Sequence, residues 1–170
     1  MSQNEAVIEL LAGNPAAAEE SLRTGYRALE EMGDRMFRST TAAFLARAIL
    51  EQGRDQEAEE FANVSARLAA KDDLLSQVLW RGVRARVLTR RGEIQEAESL
   101  AREAVALAEA TDFVNHRADA LRDLSLVLEA SHRGDEAIAA LSAALRLYEL
   151  KGNIVAASAA RVRLGKLKKV

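Results

Sequence analysis

His116, Asp119 and Asp123 come closest to a chemical constellation. An imidazole and two carboxylates spaced three and four positions apart fall on one face of a helix, where they could hold a divalent metal. Three such residues on a polar helix face recur by chance, and no second ligand pair accompanies them, so the reading is no metal site. Other chemistries leave still less trace. The sequence has no glycine-rich phosphate loop, no nucleophile elbow and no paired metal-ligand motif. Zero cysteines remove disulfides and thiol catalysis. Gly152-Asn153 reads as a turn rather than a phosphate cradle, and His132 as a turn residue. The chain is therefore expected to be a non-enzyme without a metal or cofactor.

The elements that carry these residues follow from four alanines. Ala18, Ala58, Ala97 and Ala137 recur at a nearly constant interval. A fixed period of about 40 residues, with helical texture on both sides, is the mark of stacked helical repeats. Five residues before three of the alanines stand Gly13, Gly53 and Gly92; the fourth copy has His132. Glycine just past a helix takes the left-handed conformation without strain. Histidine tolerates it less, so the fourth turn is expected to be the least regular. Asn14 and Pro15 suit the cap and first turn of the next helix.

A second class of turn stands well beyond each alanine: Gly33-Asp34, Asp72-Asp73, Thr111-Asp112 and Gly152-Asn153. Each offers a side chain to cap the helix that follows. The chain thus alternates A helices, before the glycine turn, with B helices after it. Two more positions are small in every copy: Gly25, Ser65, Ala104 and Ala144 on B, and Ala6, Ala46, Ala85 and Ser125 on A, with Gly165 continuing the series. Leu22, Leu45, Ile49, Leu88, Leu100, Leu124, Leu128, Leu141 and Leu145 surround them at helical spacing.

The pattern Gly53, Glu57, Ala58, Ser65 with Ala46, repeated as Gly92, Glu96, Ala97, Ala104 with Ala85 and again through Glu136, Ala137 and Ala144, resembles the tetratricopeptide repeat. The period is longer than that family's, which is about 34 residues, and the proline that commonly closes each repeat is absent. The stretches Gln77-Val78-Leu79-Trp80-Arg81 and Tyr148 to Asn153 also resemble the C-terminal repeat region of large bacterial regulators that carry ATPase, nucleotide-cyclase or DNA-binding modules. The fold expected is all-α: a single right-handed helical-repeat solenoid of antiparallel helix pairs over 1–170. Its repeats fall near 1–33, 34–72, 73–112 and 113–152, with a terminal helix at 153–170.

Composition agrees. Apolar residues make up 49% of the 170 and aromatics 4%, which suits closely packed helices and a substantial core. No stretch approaches 18 consecutive apolar residues, and the N-terminus lacks the basic and apolar regions of a signal peptide. A cytoplasmic protein is expected. The first helix, near Met1 to Ala12, carries Val7, Ile8, Leu10 and Leu11 where a polar cap is usual, which suggests a fragment of a larger protein or an end that pairs with another copy. Lys166, Lys168 and Lys169 suit the closing turn of a capping helix.

The net charge of −2 says little, but its distribution is uneven. The A segments from Arg35 onward carry fifteen arginines and lysines against Glu51, Asp73, Asp119, Asp123 and Glu129, whereas the B segments are rich in glutamate. The tetratricopeptide resemblance implies that A helices line a concave groove, which would then be basic. By repeat offset Arg47, Arg86, Arg90 and Arg122 face it, with Thr40, Ala43 and Gly82 leaving room. Such a groove would hold an acidic protein segment through forked guanidinium contacts. Solvated arginines paired with acids one turn away are the plain alternative. Nucleic acid, read through arginines and Trp80, is the weaker partner, since the pI is about 5.8 and no nucleic-acid motif is present. The function expected is a protein-interaction scaffold. Its alternatives are self-association through Val7, Ile8 and Leu11, and a sensor domain for a small anionic ligand.

Overall fold

The computed structural model describes residues 3–169. Among them the chain forms nine α-helices: α1 (Gln3–Ala12), α2 (Pro15–Glu31), α3 (Arg35–Glu51), α4 (Asp55–Leu68), α5 (Leu74–Arg91), α6 (Ile94–Glu109), α7 (Val114–Ala130), α8 (Gly134–Lys151) and α9 (Ile154–Leu167). The start of the first helix expected at Met1 lies outside the described residues. The backbone gathers into two compact units, one ending at Val83 and one beginning at Arg84, with the division inside α5.

Six of the turns close in one way. A residue with positive φ follows the helix, and the next N–H donates to the carbonyl five residues back. Arg54 N reaches Ile49 O at 3.3 Å, Glu93 N reaches Leu88 O at 3.0 Å, and Asn153 N reaches Tyr148 O at 2.9 Å. This bond satisfies a carbonyl that the helix end would leave open. Five of the six positive-φ residues are glycine; the sixth is His132, at φ 59°. Arg133 N still bonds Leu128 O at 3.0 Å, as its counterparts do. The fourth turn is therefore not the least regular. The hydrogen bonds around His132 define the turn, and the histidine carries the strain.

The capping expectations divide. Asp34 Oδ1 accepts from Phe37 N at 2.8 Å, Asp73 Oδ1 from Ser76 N at 3.2 Å, and Asn153 Oδ1 from Ala156 N at 3.1 Å. Asn14 makes no cap bond to α2. Its amide donates instead to Glu9 Oε2 at 3.0 Å, and Pro15 opens the helix.

In the first unit the repeat alanines Ala18 and Ala58 are fully buried with Ala6, Ala46 and Ser65, amid Leu22, Leu45, Ile49 and Leu50. The Tyr26 and Phe61 rings meet edge to face, with centroids 5.5 Å apart. In the second unit Ala85, Ala97, Ala101 and Ala137 pack with Leu88, Leu124, Val127 and Leu128. A second cluster joins Ala118, Leu141, Ala144, Tyr148, Ala157, Ala160 and Leu164. Small residues at these crossings let backbones approach, which explains how so few aromatics suffice.

Two members of the small-residue series depart from it. A Cβ built on Gly25 or on Gly165 would meet nothing within 4 Å. α1 has 10 residues against 17 in α3, about two turns fewer, and Gly25 faces the space that results. Ser21, Leu22, Gly25, Leu29, Phe37 and Thr41 line that cavity, whose volume is about 490 Å³. Gly165 sits on the exposed face of α9.

Candidate functional site

The arginines expected to line a groove have distinct surroundings. Arg47 is buried within α3 of the first unit and is not presented to solvent. Its neighbours explain this, since α3 is buried at every residue from Thr41 to Leu50. Ala43 and Gly82, expected to leave room beside it, are buried too, and the Thr40 hydroxyl pairs with Ser76 Oγ at 3.0 Å. These positions serve packing.

Arg86 and Arg122 converge in the second unit. Arg122 donates from Nε and Nη2 to Asp123 Oδ1, at 3.3 and 3.0 Å. Arg86 Nε stands 3.9 Å from the same oxygen. Arg122 Nη1 lies 3.7 Å from Asp119 Oδ1, which also accepts the Tyr148 hydroxyl at 2.5 Å. Asp123 is 1% exposed and the Arg86 side chain 10%. Helix α5 thus supplies one guanidinium, α7 the other with both carboxylates, and α8 the hydroxyl. A carboxylate taken out of water needs this many partners. Arg90, one turn beyond Arg86, is exposed.

The same cluster accounts for the two carboxylates that share a helix face with His116. Both are engaged by arginine or tyrosine, while the His116 ring meets Phe113 edge to face at 6.0 Å. Among the described residues no group of three His, Cys, Asp or Glu is placed to hold a metal. Trp80 is also committed: its indole N–H donates to Gln77 Oε1 at 3.1 Å, and the Arg81 guanidinium covers the ring at 4.2 Å.

Much of the charge separation between A and B helices is resolved internally. Arg38 reaches Glu30 at 3.2 Å, Arg84 reaches Glu96 at 3.2 Å, Arg117 reaches Glu109 at 3.3 Å and Arg161 reaches Glu149 at 2.6 Å. Each is an A-helix arginine on a B-helix glutamate. On the B helices and the turns that lead into them, two four-membered rings of charge stand out. In the first unit Arg54 lies 2.7 Å from Glu19, Arg23 lies 2.7 Å from Glu19, and both arginines also bind Glu57. Gln52 adds a bond to Glu19 at 2.6 Å. Burial pushes the Glu19 carboxyl up, but its bonds from Arg54, Arg23 and Gln52 outweigh that and hold it at about 2. In the second unit Arg133 and Arg102 hold Glu98 at 2.6 and 2.8 Å, and both meet Glu136. The Arg133 and Arg102 hydrogen bonds lower the Glu98 carboxyl as well. Sequence reading missed these rings. Their signal is a period of two repeats: Glu98, Arg102, Arg133 and Glu136 stand at one constant offset from Glu19, Arg23, Arg54 and Glu57.

The residues expected at a self-association surface occupy α1. Ile8 is 62% exposed, whereas Val7 and Leu11 are half-buried. Helix α9 exposes Ile154, Val155 and Val162.

Comparison with known proteins agrees with this architecture. Residues 76–149 match the family model for the tetratricopeptide repeat. A crystal structure of nearly identical TPR-like repeats, from a Podosopora anserina protein assigned as a kinesin light chain, aligns at a TM-score of 0.57 with 20% identity. That alignment covers 98% of this chain and 92% of the other. BtubC (BKLC) from P. vanneervenii aligns at 0.60 with 17% identity, covering 96% of this chain and 77% of the other. No curated protein matches the chain in sequence.

Proposed function

We propose that this chain, which carries tetratricopeptide repeats in residues 76–149 and a TPR-like all-α fold throughout, is a non-catalytic scaffold that binds a protein segment. Tetratricopeptide repeats mediate protein–protein interaction, and no described helix is long and apolar enough to cross a membrane. The observation that carries the finer reading is the convergence of Arg86 and Arg122 on Asp123, with Arg90 exposed one turn away. All three arginines lie within the matched residues. The internal carboxylate fixes the two guanidinium groups before a ligand arrives, and Arg90 adds a guanidinium at an exposed position. The expected ligand is an acidic segment of a protein, within a larger cytoplasmic regulator.

Arg90→Glu tests this without disturbing Asp123. Short fluorescent peptides rich in glutamate, with free and amidated C-termini, are titrated against wild type and variant by anisotropy. Binding to wild type that weakens at least tenfold in Arg90→Glu supports the reading. Equal binding to both places the acidic ligand elsewhere.

A second reading is favoured by the exposed Ile8 on α1 and Val155 and Val162 on α9: the chain associates with itself. Mass by light scattering over a concentration series tests it, and a monomer throughout rejects it.

A further inference from the structure

Helices α1 and α9 each turn a stripe of exposed residues away from their own unit. On α1 it runs Glu5, Ile8, Ala12; on α9 it runs Val155, Ala159, Val162, Lys166, and every one of these is exposed. Spacings of three, four and seven keep each set on one helix face. The α9 stripe is flanked by Gly165, whose counterparts Ala46, Ala85 and Ser125 are fully buried. It is therefore a helix-packing face without a helix on it among the described residues.

We propose that α9 of one copy packs antiparallel on α1 of the next, joining copies head to tail. The proposal rests on the self-association reading and specifies which surfaces meet. Its argument is register and charge. Glu5 to Ala12 and Ala159 to Lys166 span the same two turns, about 10 Å along a helix. Laid antiparallel, Glu5 meets Lys166, Ile8 meets Val162 and Ala12 meets Ala159. An acid faces a base, the larger apolar groups face each other, and two alanines allow close approach. Lys168 and Lys169, both exposed, continue the positive end beside Glu5. A parallel arrangement over the same two turns sets Glu5 against Ala159 and Lys166 against Ala12, so the acid and the base do not meet. Pairing of α9 with its own copy also leaves Lys166 opposite Val155 and brings the Arg161 side chains towards each other at the two-fold axis. Because the two surfaces differ, the contact is heterologous, and each added copy presents the same pair again.

The test uses one block on each surface. Ile8→Glu disables α1 and leaves α9; Val162→Glu does the reverse. Both side chains are mostly exposed, at 62% and 60%, and unchanged far-UV circular dichroism verifies each fold. Mass is followed by light scattering from micromolar to millimolar protein. The expected result is a wild-type mass that climbs with concentration, each variant fixed at the 18.5 kDa protomer, and an equimolar mixture that stops at twice that value. Glu5→Lys and Lys166→Glu form a second pair: each single change should weaken association at least fivefold, and combining both in one chain should restore it. If Ile8→Glu alone still dimerises, α9 pairs with itself; if Val162→Glu alone does, α1 pairs with itself. Either result overturns the head-to-tail arrangement while self-association stands. A wild type that remains monomeric at every concentration overturns both.

Discussion

Arg54, in the turn between α3 and α4, holds Glu19 of α2 at 2.7 Å, and so ties the first repeat to the second from outside the apolar core. Arg133 and Glu98 repeat the contact at 2.6 Å in the other unit. The Glu19 carboxyl is held at about 2, below its ordinary value of 4.5. As pH falls from about 5 towards 2, the unfolded chain takes up this proton before the folded one does. Stability from the ring is thus full above that window and lost on descending through it. Glu19→Gln should lower stability at pH 7 and flatten the acid side of the Tm curve. The arginines are partly exposed, so solvent screening holds the effect to about 1 kcal/mol, or roughly 2–4 °C in a chain of this size. Glu98→Gln, at a more exposed carboxylate, should cost less. Thermal melts from pH 7 to pH 2 check both, and an unchanged acid limb in Glu19→Gln would remove the ring from the account of stability.

His132 occupies a left-handed position that its five counterparts give to glycine. The conformation costs a residue with a Cβ about 1 kcal/mol. His132→Gly should therefore raise Tm by roughly 2–4 °C, and Gly92→Ala, at φ 82°, should lower it by a similar amount. Calorimetry on the two variants reads the sign directly. A destabilised His132→Gly would mean that the imidazole makes a contact worth more than the strain.

The helices, their pairing and the small residues between them were legible because each depends on a local signal that recurs in every repeat. Glycine before alanine marks a turn wherever it stands, and Ala58, Ala97 and Ala137 are buried for one reason. The candidate site was less legible. Arg47 and Arg86 look alike in sequence, but burial of Arg47 depends on every neighbour from Thr41 to Leu50 packing at once. Asp119 and Asp123 share a helix face with His116, as a metal site would. Partners for them come from α5 and α8, at Arg86 and Tyr148. Such pairings reach across most of a repeat and carry no local pattern. The charge rings escaped for a related reason: they recur every second repeat, whereas the alanine signal recurs in each one and the glycine before it in three of the four.

Asp123 supports two guanidinium groups, so its removal should be costly. Asp123→Ala leaves Arg86 and Arg122 facing each other in a nearly enclosed space, and should destabilise the chain by about 3 kcal/mol. Asp123→Asn, which keeps a hydrogen-bond acceptor, should cost less. Arg90→Glu, at an exposed position, should stay within about 0.5 kcal/mol of wild type. Urea titration orders the three. If Asp123→Ala matches Arg90→Glu, the convergence on Asp123 contributes no stability.

Gly25 and Ala144 hold equivalent places in the repeat, yet opposite responses are expected from enlarging them. Ala144 is fully enclosed with Ala118, Leu141 and Tyr148. Ala144→Leu must displace those side chains and should cost roughly 1–3 kcal/mol. Gly25 lies mid-helix with open space where a Cβ would go. Gly25→Ala adds no clash and removes backbone freedom from the unfolded chain, which should stabilise α2 by roughly 0.5–1 kcal/mol. The same change at Gly165 should also stabilise, because a Cβ there meets nothing either. Denaturant midpoints for the three variants separate a position that packs from two that do not. Destabilisation by Gly25→Ala would show that the cavity beside it is closed in solution and that the small residue is needed where the repeat places it.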